Sequence, residues 1–410
     1  MENTMGRARG ARTLEAVAGA LVLAIGMGFG RFSFTGMYPL MVRDGVIDVT
    51  AGSVAASANY AGYLLGAILM SRFKHGHAAR LCQLSMIGTI ACLAVLSLPL
   101  SPSLIAAVRF IAGVVSAVSL VAASIWLLHV VGHHHGAPVL FAGVGLGIVV
   151  SAEIIAIGAA EHFNSAALWA LLAAATLLLS AMAWTRLGAR RDEDEDEDAD
   201  ESESENADAE DAESGNDRDA KAIADAGARN GAHHRSGPNA YVLVALYGLA
   251  GFGYIATATY LPLLVKNAVP GINPVHIWAA FGLGAVPSCF LWHWLNHRFG
   301  SRRSMALNLL VQAAGVMLPV LAESATTFLA SALLVGGTFV GTVTIAMPVA
   351  RQIASTVRFN IMATMTAAYG VGQILGPLVS TALFARTHSF GQPLIAAGAA
   401  LIAAAALACK

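Results

Sequence analysis

Twelve long apolar runs constrain this chain more than any other feature. They lie at 14–42, 50–72, 81–100, 103–131, 137–160, 166–187, 240–266, 274–296, 304–322, 327–350, 358–385 and 390–408. A bilayer core takes about 20 residues of helix, and nearly every run reaches that length. Inside lipid a backbone must satisfy its own N–H and C=O groups, so runs of this composition have to be helices. Of the 410 residues 57% are apolar and only 12% charged, roughly half the charge of a soluble domain. A water-soluble enzyme is thereby excluded. The 41 glycines, among abundant Ala and Leu, suit helices that approach one another closely. The expected fold is an all-α integral membrane protein with twelve transmembrane helices. Arg7, Arg9 and Arg12 precede the first run, but that run is too long for the core of a secretory signal and reads as a span.

The net charge of −1 averages two different materials. Residues 188–238 hold 18 of the 25 acids and 6 of the 24 Lys and Arg. This stretch divides the chain into a six-helix bundle at 1–187, an acidic linker at 188–238 and a second six-helix bundle at 239–410. The run 192–213 is almost entirely acidic, Ala and Ser, too polar to bury a core, and is expected to be disordered and solvated. Placing the N-terminus inside puts Arg7, Arg9, Arg12, Arg72, Lys74, Arg80, Arg298, Arg302, Arg303, Arg351 and Arg358 on one face. Only Arg43, Lys266 and Arg386 remain on the other. The positive-inside rule then predicts an inner-membrane protein with both termini cytoplasmic.

The two bundles read as copies. Residues 28–40 (GFGRFSFTGMYPL) in the first span align without a gap on 251–263 (GFGYIATATYLPL) in the seventh. Arg72-Phe73 after the second span matches Arg298-Phe299 after the eighth, and Gly143-Val-Gly145 matches Gly370-Val-Gly372. Same-direction six-helix repeats place a solute site between the halves, near mid-membrane, and let the halves rock about it.

These features together resemble the major facilitator superfamily over essentially the whole chain except the linker. Residues 297–303 (HRFGSRR) are similar to its basic loop motif, with His297 in place of the usual Asp. The corresponding Ser71-Arg72-Phe73-Lys74 lacks both the acid and the following Gly. Arg109-Phe-Ile-Ala-Gly113 resembles the superfamily's RxxxG motif, which implies a part in proton coupling for Arg109. More narrowly, residues 28–41, 57–66 (SANYAGYLLG) and 369–377 (YGVGQILGP) resemble the YbfB/YjiJ-type branch. Antiporter-type patterns are partial, since the fifth span has no Pro in its Gly run whereas the eleventh has Gly376-Pro377.

Only Arg31, Arg109 and Glu153 place an Asp, Glu, Lys or Arg side chain well inside a span. Each is costly at bilayer depth, so each is expected to face a cavity and a partner. At about 1.5 Å of rise per residue, Arg31 lies roughly 25 Å and Glu153 roughly 24 Å from the inner ends of their spans. Arg109 is about 9 Å in from the outer end of the fourth. Asn59 and Tyr63 descend the second span near the same level, and one polar layer is expected. Glu153 and Arg109 read as a structural pair, as a switch in which Glu153 alternates between Arg109 and a proton, or as Glu153 lining a wet vestibule. Arg31 either anchors its helix to a carbonyl or to Glu153, or grips an anionic solute with its two-pronged guanidinium. Its repeat partner is Tyr254. In the second half Tyr369 and Gln373 join Tyr254 as candidates for lining the cavity, whereas Thr338 and Thr342 are expected to bond to their own helix.

Other signals carry less. His133-His134-His135 falls in a turn without a nearby Cys or acid, so no metal is expected, and no cofactor. Gly143-x-Gly145-x-Gly147 follows no strand and reads as close helix packing. Cys82, Cys92, Cys289 and Cys409 have no paired spacing and read as small core residues. The six Trp fall toward span ends, where an aromatic belt would put them. No GxxxxGK[ST] loop is present. The sequence thus predicts a secondary transporter, not an enzyme: a monomer moving a small organic solute, with a tilt toward carboxylates, driven by protons. Its expected partners are the solute, protons and the lipid bilayer, not nucleic acid. Proton-driven multidrug efflux, with Glu153 as the acid, is the alternative, and a non-transporting membrane sensor a more distant one.

Overall fold

The computed structural model describes residues 2–71, 77–208 and 239–409. Twelve helices are long and apolar enough to cross a membrane. In chain order they are α1 (Arg12–Arg43), α2 (Val49–Met70), α3 (Ala78–Leu96), α4 (Pro102–Val130), α5 (Ala137–Ala160) and α6 (Ser165–Leu187). The second six are α7 (Ala240–Ala268), α8 (Pro274–Phe299), α9 (Ser301–Leu321), α10 (Ala325–Ile353), α11 (Ile361–Thr387) and α12 (Gly391–Ala408). Local chemistry sets several of the boundaries. Asp48, Ser101, Asn273, Ser324 and Asn360 each accept an N–H of the first turn that follows them, satisfying donors a helix start would leave bare.

Packing repeats as the sequence does. In the first half α2 lies against α4, α1 against α5, and α3 against α4 and α6; in the second, α8 lies against α10, α7 against α11, and α9 against α10 and α12. The halves meet through α5 on α8 and α2 on α11, pairs that exchange under the same correspondence. Glycines set the closest crossings. A Cβ on Gly113 would land on the Asn59 carbonyl, and one on Gly336 would land on the Phe281 carbonyl, so the α2–α4 and α8–α10 crossings are built alike. Gly143 and Gly372 each abut the first helix of their own half, at Ala20 and Gly248. Gly145 instead meets Gly282 across the halves.

Two expectations need amending. The helix that contains α6 continues to Asp208, so the first part of the acidic stretch is helical where disorder was expected from 192 onward; its Ala and Glu are good helix formers. Residues 209–238 and the Arg72-Phe73 counterpart of Arg298-Phe299 lie outside the described residues. Trp126, Trp169, Trp278 and Trp292 are packed inside the bundles, and only Trp184 and Trp294 are exposed. Position along a span does not tell which side of the helix faces lipid. The indole N–H groups of Trp278 and Trp292 find carbonyls at Phe32 and Gly337.

At the end of the molecule opposite the termini, Asp44 ties two hairpins together. It accepts from the Ser165 backbone N–H (2.6 Å) and pairs with Arg43 (2.7 Å), which also reaches the Phe163 carbonyl (3.3 Å). Burial disfavours its charge, but the bonds from Arg43 and Ser165 prevail and hold the carboxyl below its ordinary range. Its contribution to stability is therefore present above the unfolded-state value of about 3.9 and fades as pH falls through the lower folded-state value.

Gly113→Leu and Gly336→Leu should each cost about 3 kcal/mol by overpacking a helix crossing. Both variants are expected to lose the single symmetric size-exclusion peak of the parent protein in detergent, while Gly391→Ala at the start of α12, where a Cβ meets only the Ser389 hydroxyl at ordinary contact distance, keeps it.

Candidate functional site

The first helix leaves α-helical geometry where the site begins. Residues Ala24–Phe32 form a π-helical segment, and Arg31 stands in its last turn. Such a segment changes which N–H each carbonyl can reach, and it recurs at functional positions. The carbonyls of Gly30 and Arg31 accept from Nη1 and Nη2 of Arg109, both at 2.9 Å. Arg109 is 2% exposed, lies over the Phe34 ring at 4.6 Å, and its own carbonyl accepts from Asn59 Nδ2 at 2.8 Å. Arg109 is thus a fixed strut between α4 and α1, with Asn59 bracing it from α2.

The Arg31 side chain reaches the other half. Its Nη2 donates to Gln373 Oε1 of α11 at 3.0 Å, and Gln373 Nε2 in turn donates to the Tyr254 hydroxyl of α7. The guanidinium carbon sits 3.9 Å from the centre of the Tyr63 ring and 5.2 Å from that of Tyr60. Tyr254 stacks between Tyr369 (5.8 Å, 20°) and Phe339 (5.7 Å, 14°). Arg31, Tyr63, Tyr254, Tyr369 and Gln373 therefore meet in one layer where the halves join. Arg31 is 3% exposed, and its Nε has no hydrogen-bond partner. Among the described residues it pairs with no carboxylate.

Two expected placements are corrected. Asn59 supports Arg109 and does not line the Arg31 layer. Glu153 does not pair with Arg109; it bonds His276 Nδ1 of α8 at 3.0 Å, with the two side chains 41% and 54% exposed. Helix rise gave the shared height of Glu153 and Arg109 but not their direction, and α5 turns this face toward α8. Thr338 bonds to its own helix at the Leu334 carbonyl and Thr342 reaches that of Thr338 (3.4 Å), as expected, while Thr342 also donates to Asn308 of α9 (2.7 Å). Tyr60, Tyr247 and Phe339 belong to the layer and were not singled out. Tyr60 and Tyr63 stand three apart on one helix, a spacing that shares a face, and Tyr247 and Tyr254 stand seven apart; Phe339 has no polar atom to mark it. No group of three His, Cys, Asp or Glu among the described residues is placed to hold a metal ion.

Among the described residues, eight hydrogen bonds between the halves lie at the Arg31 level or farther from the termini. Ser53 with Tyr260 (2.7 Å), Tyr60 with Thr259 (3.1 Å) and Thr35 with the Ala258 carbonyl (2.7 Å) close the middle of that end. Lys266 reaches the Pro39 carbonyl at 3.1 Å nearer the rim. On the other side of the layer, one turn toward the termini from Tyr60 and Gln373, Tyr63 and Tyr369 are only half-buried.

Two similar six-helix halves, sealed at one end around a polar interfacial layer, define a secondary transporter. Two solved structures share the fold. A mutant of the nucleoside transporter NupG matches at a TM-score of 0.66 and 12% identity, covering 96% of this chain and 98% of that one. A bacterial homologue of the human lysosomal transporter Spinster, in an inward-facing and unoccupied conformation, matches at 0.65 and 12%, covering 97% and 96%. No curated protein matches the chain. The family described as "Uncharacterised MFS-type transporter YbfB" matches residues 23–210 and 217–409, and the chain belongs to it. It is a multi-pass membrane protein of the major facilitator kind.

Arg109→Ala should remove the two buried charge-assisted hydrogen bonds to the Gly30 and Arg31 carbonyls, at about 1.5–3 kcal/mol each. The apparent melting temperature in detergent should fall by several degrees, and Arg109→Lys, which can satisfy fewer of these acceptors, should recover part of the loss.

Proposed function

We propose that this protein carries a small carboxylate-bearing solute across the inner membrane by alternating access, as a monomer with both termini in the cytoplasm. The observation that carries this reading is the Nε–Nη2 edge of Arg31. Nε has no partner, and Nη2 holds only the neutral oxygen of Gln373. Those two N–H groups point the same way, as the prongs that a carboxylate engages side-on. A solute carboxylate taking the place of the Gln373 oxygen would satisfy both, adding a counter-charge that the described interior does not provide. The half-buried Tyr63 and Tyr369 lie on the side of the termini, so this form would admit solute from the cytoplasm while the opposite end is closed. Rocking about the layer would reverse the closure.

The cross-half pair of Glu153 and His276 supports proton coupling. A proton on Glu153 removes the charge that holds His276, so loading the proton loosens α5 from α8 at the end opposite the termini. The multidrug alternative is weaker on the same evidence. It needs an acid facing the solute, and Glu153 faces His276 on a partly exposed surface.

A thermal-shift screen of the purified protein against organic acids, amino acids and common drugs should give stabilisation by monocarboxylates. Arg31→Lys should weaken that binding roughly 10- to 100-fold, the equivalent of about 1.5–3 kcal/mol for a bond to a charged group. Stabilisation only by cations, or affinity indifferent to Arg31, overturns the anion reading. In proteoliposomes Glu153→Gln should abolish proton-driven accumulation yet retain exchange of labelled for unlabelled solute. Proton-driven uptake surviving that change removes Glu153 from the coupling. A green fluorescent protein joined after Lys410 should fluoresce, whereas alkaline phosphatase at the same point should stay inactive; the reverse pattern overturns the orientation.

A further inference from the structure

We infer that the solute is an aromatic monocarboxylate. This rests on the anion reading of Arg31 and narrows it by two independent features of the same layer, its charge inventory and its walls.

The inventory admits one negative charge and no positive one. Of the two guanidiniums in the interior, Arg109 spends Nη1 and Nη2 on the Gly30 and Arg31 carbonyls, which leaves only its Nε without a partner, and it cannot offer a solute a two-pronged edge without releasing α1. Arg31 alone remains. A dicarboxylate would bring a second charge into a buried layer with no second free cation to meet it, and an unpaired buried charge costs several kcal/mol. A zwitterionic amino acid would need an acid for its ammonium group. The one acid well inside a span is Glu153, and it lies half-exposed against His276.

The walls are aromatic. On the first half, Tyr63 and Tyr60 present their faces to the guanidinium. Facing them, Tyr254 lies nearly parallel between Tyr369 and Phe339, at interplanar angles of 20° and 14°. The row runs on to Phe281 beyond Phe339 and to Tyr247 beyond Tyr369, so toward Arg31 it offers ring edges. Gln373 spans the gap, bonded to Arg31 on one side and to the Tyr254 hydroxyl on the other. A carboxylate that displaces Gln373 from Arg31 is therefore set beside Tyr254, and the body it carries must lie against these rings. A flat π system can set its face against the ring edges, which adds about 0.5–1.5 kcal/mol beyond the area it buries. An aliphatic body of the same size cannot.

The test is a selectivity series on the full-length parent protein in detergent, read by calorimetry or thermal shift. Benzoate and 4-hydroxybenzoate are compared with cyclohexanecarboxylate, hexanoate, succinate, phenylalanine and benzylamine. Cyclohexanecarboxylate matches benzoate in charge and nearly in size but has no π face. Benzoate is expected to bind roughly two- to tenfold more tightly than cyclohexanecarboxylate and hexanoate, with succinate, phenylalanine and benzylamine weaker still. Tyr254→Leu should erase the ratio between benzoate and cyclohexanecarboxylate, whereas Arg31→Gln should weaken both alike. If the two bind equally and both depend on Arg31, the aromatic inference is overturned while the anion reading stands. If no monocarboxylate binds, or benzylamine binds best, both fall together. The parent series needs no variant, so a misfolded Tyr254→Leu does not shield the inference.

Discussion

The rest of the site depends on one contact, the Arg109 guanidinium against the carbonyls of Gly30 and Arg31. A buried cation is tolerable only where dipoles or charges answer it, and here two backbone oxygens of a π-helical segment do so. The relation runs both ways. Those carbonyls need a donor at that place, and a guanidinium can serve two acceptors from one rigid plane. Arg109 thereby fixes the backbone of Arg31 and so fixes where the Arg31 side chain emerges. The cation at the interface is mobile only beyond a Cα that its neighbour holds.

The second half shows what the arrangement adds, because it lacks it. Gly113 and Gly336 occupy equivalent crossings, each against a carbonyl of the neighbouring helix. Four residues before Gly113 stands Arg109; four before Gly336 stands Ala332, fully buried. In keeping with this, α7 is an unbroken α-helix where α1 carries the π-helical segment, and Tyr254 stands in the place of Arg31. The strut, the altered helix and the interfacial cation occur together in one copy and are absent together from the other. One bundle supplies charge, the other rings and an amide, and the layer exists only where they meet.

Much of this was legible in the sequence, for reasons that also mark where reading stops. Span length and composition fix the twelve helices, since lipid offers a backbone no alternative. Repeat alignment located Tyr254 opposite Arg31, and helix rise gave a shared height for Arg31, Glu153 and Asn59. Height is only one coordinate. Which way a side chain points around its helix depends on how neighbours are packed, and there the expectation for Glu153 fails: it turns to His276, near the start of α8, not to Arg109. Asn59 was placed at the correct depth but faces α4. Arg109 carried a charge that marked it, yet its partners are main-chain oxygens, which leave no trace in a sequence. Phe339 was invisible because one more Phe in an apolar helix carries no signal until its ring is found parallel to Tyr254.

The nature of the seal decides how easily such a molecule could change state. Apart from Arg31 with Gln373, Glu153 with His276 and the Lys266 contact to Pro39, the cross-half bonds among the described residues are between neutral groups: hydroxyls, carbonyls and an indole. A neutral hydrogen bond contributes about 0.5–1.5 kcal/mol net, because water replaces it well when it opens. A seal of buried ion pairs would leave unpaired charges on parting, at several kcal/mol each. With hydroxyls the two states stay close in free energy, and a solute need only prefer one modestly to shift the balance. Arg31 is the exception within the layer, since parting it from Gln373 without a substitute bares a cation. A carboxylate supplies that substitute, which makes the binding event and the loosening of the halves the same exchange of partners.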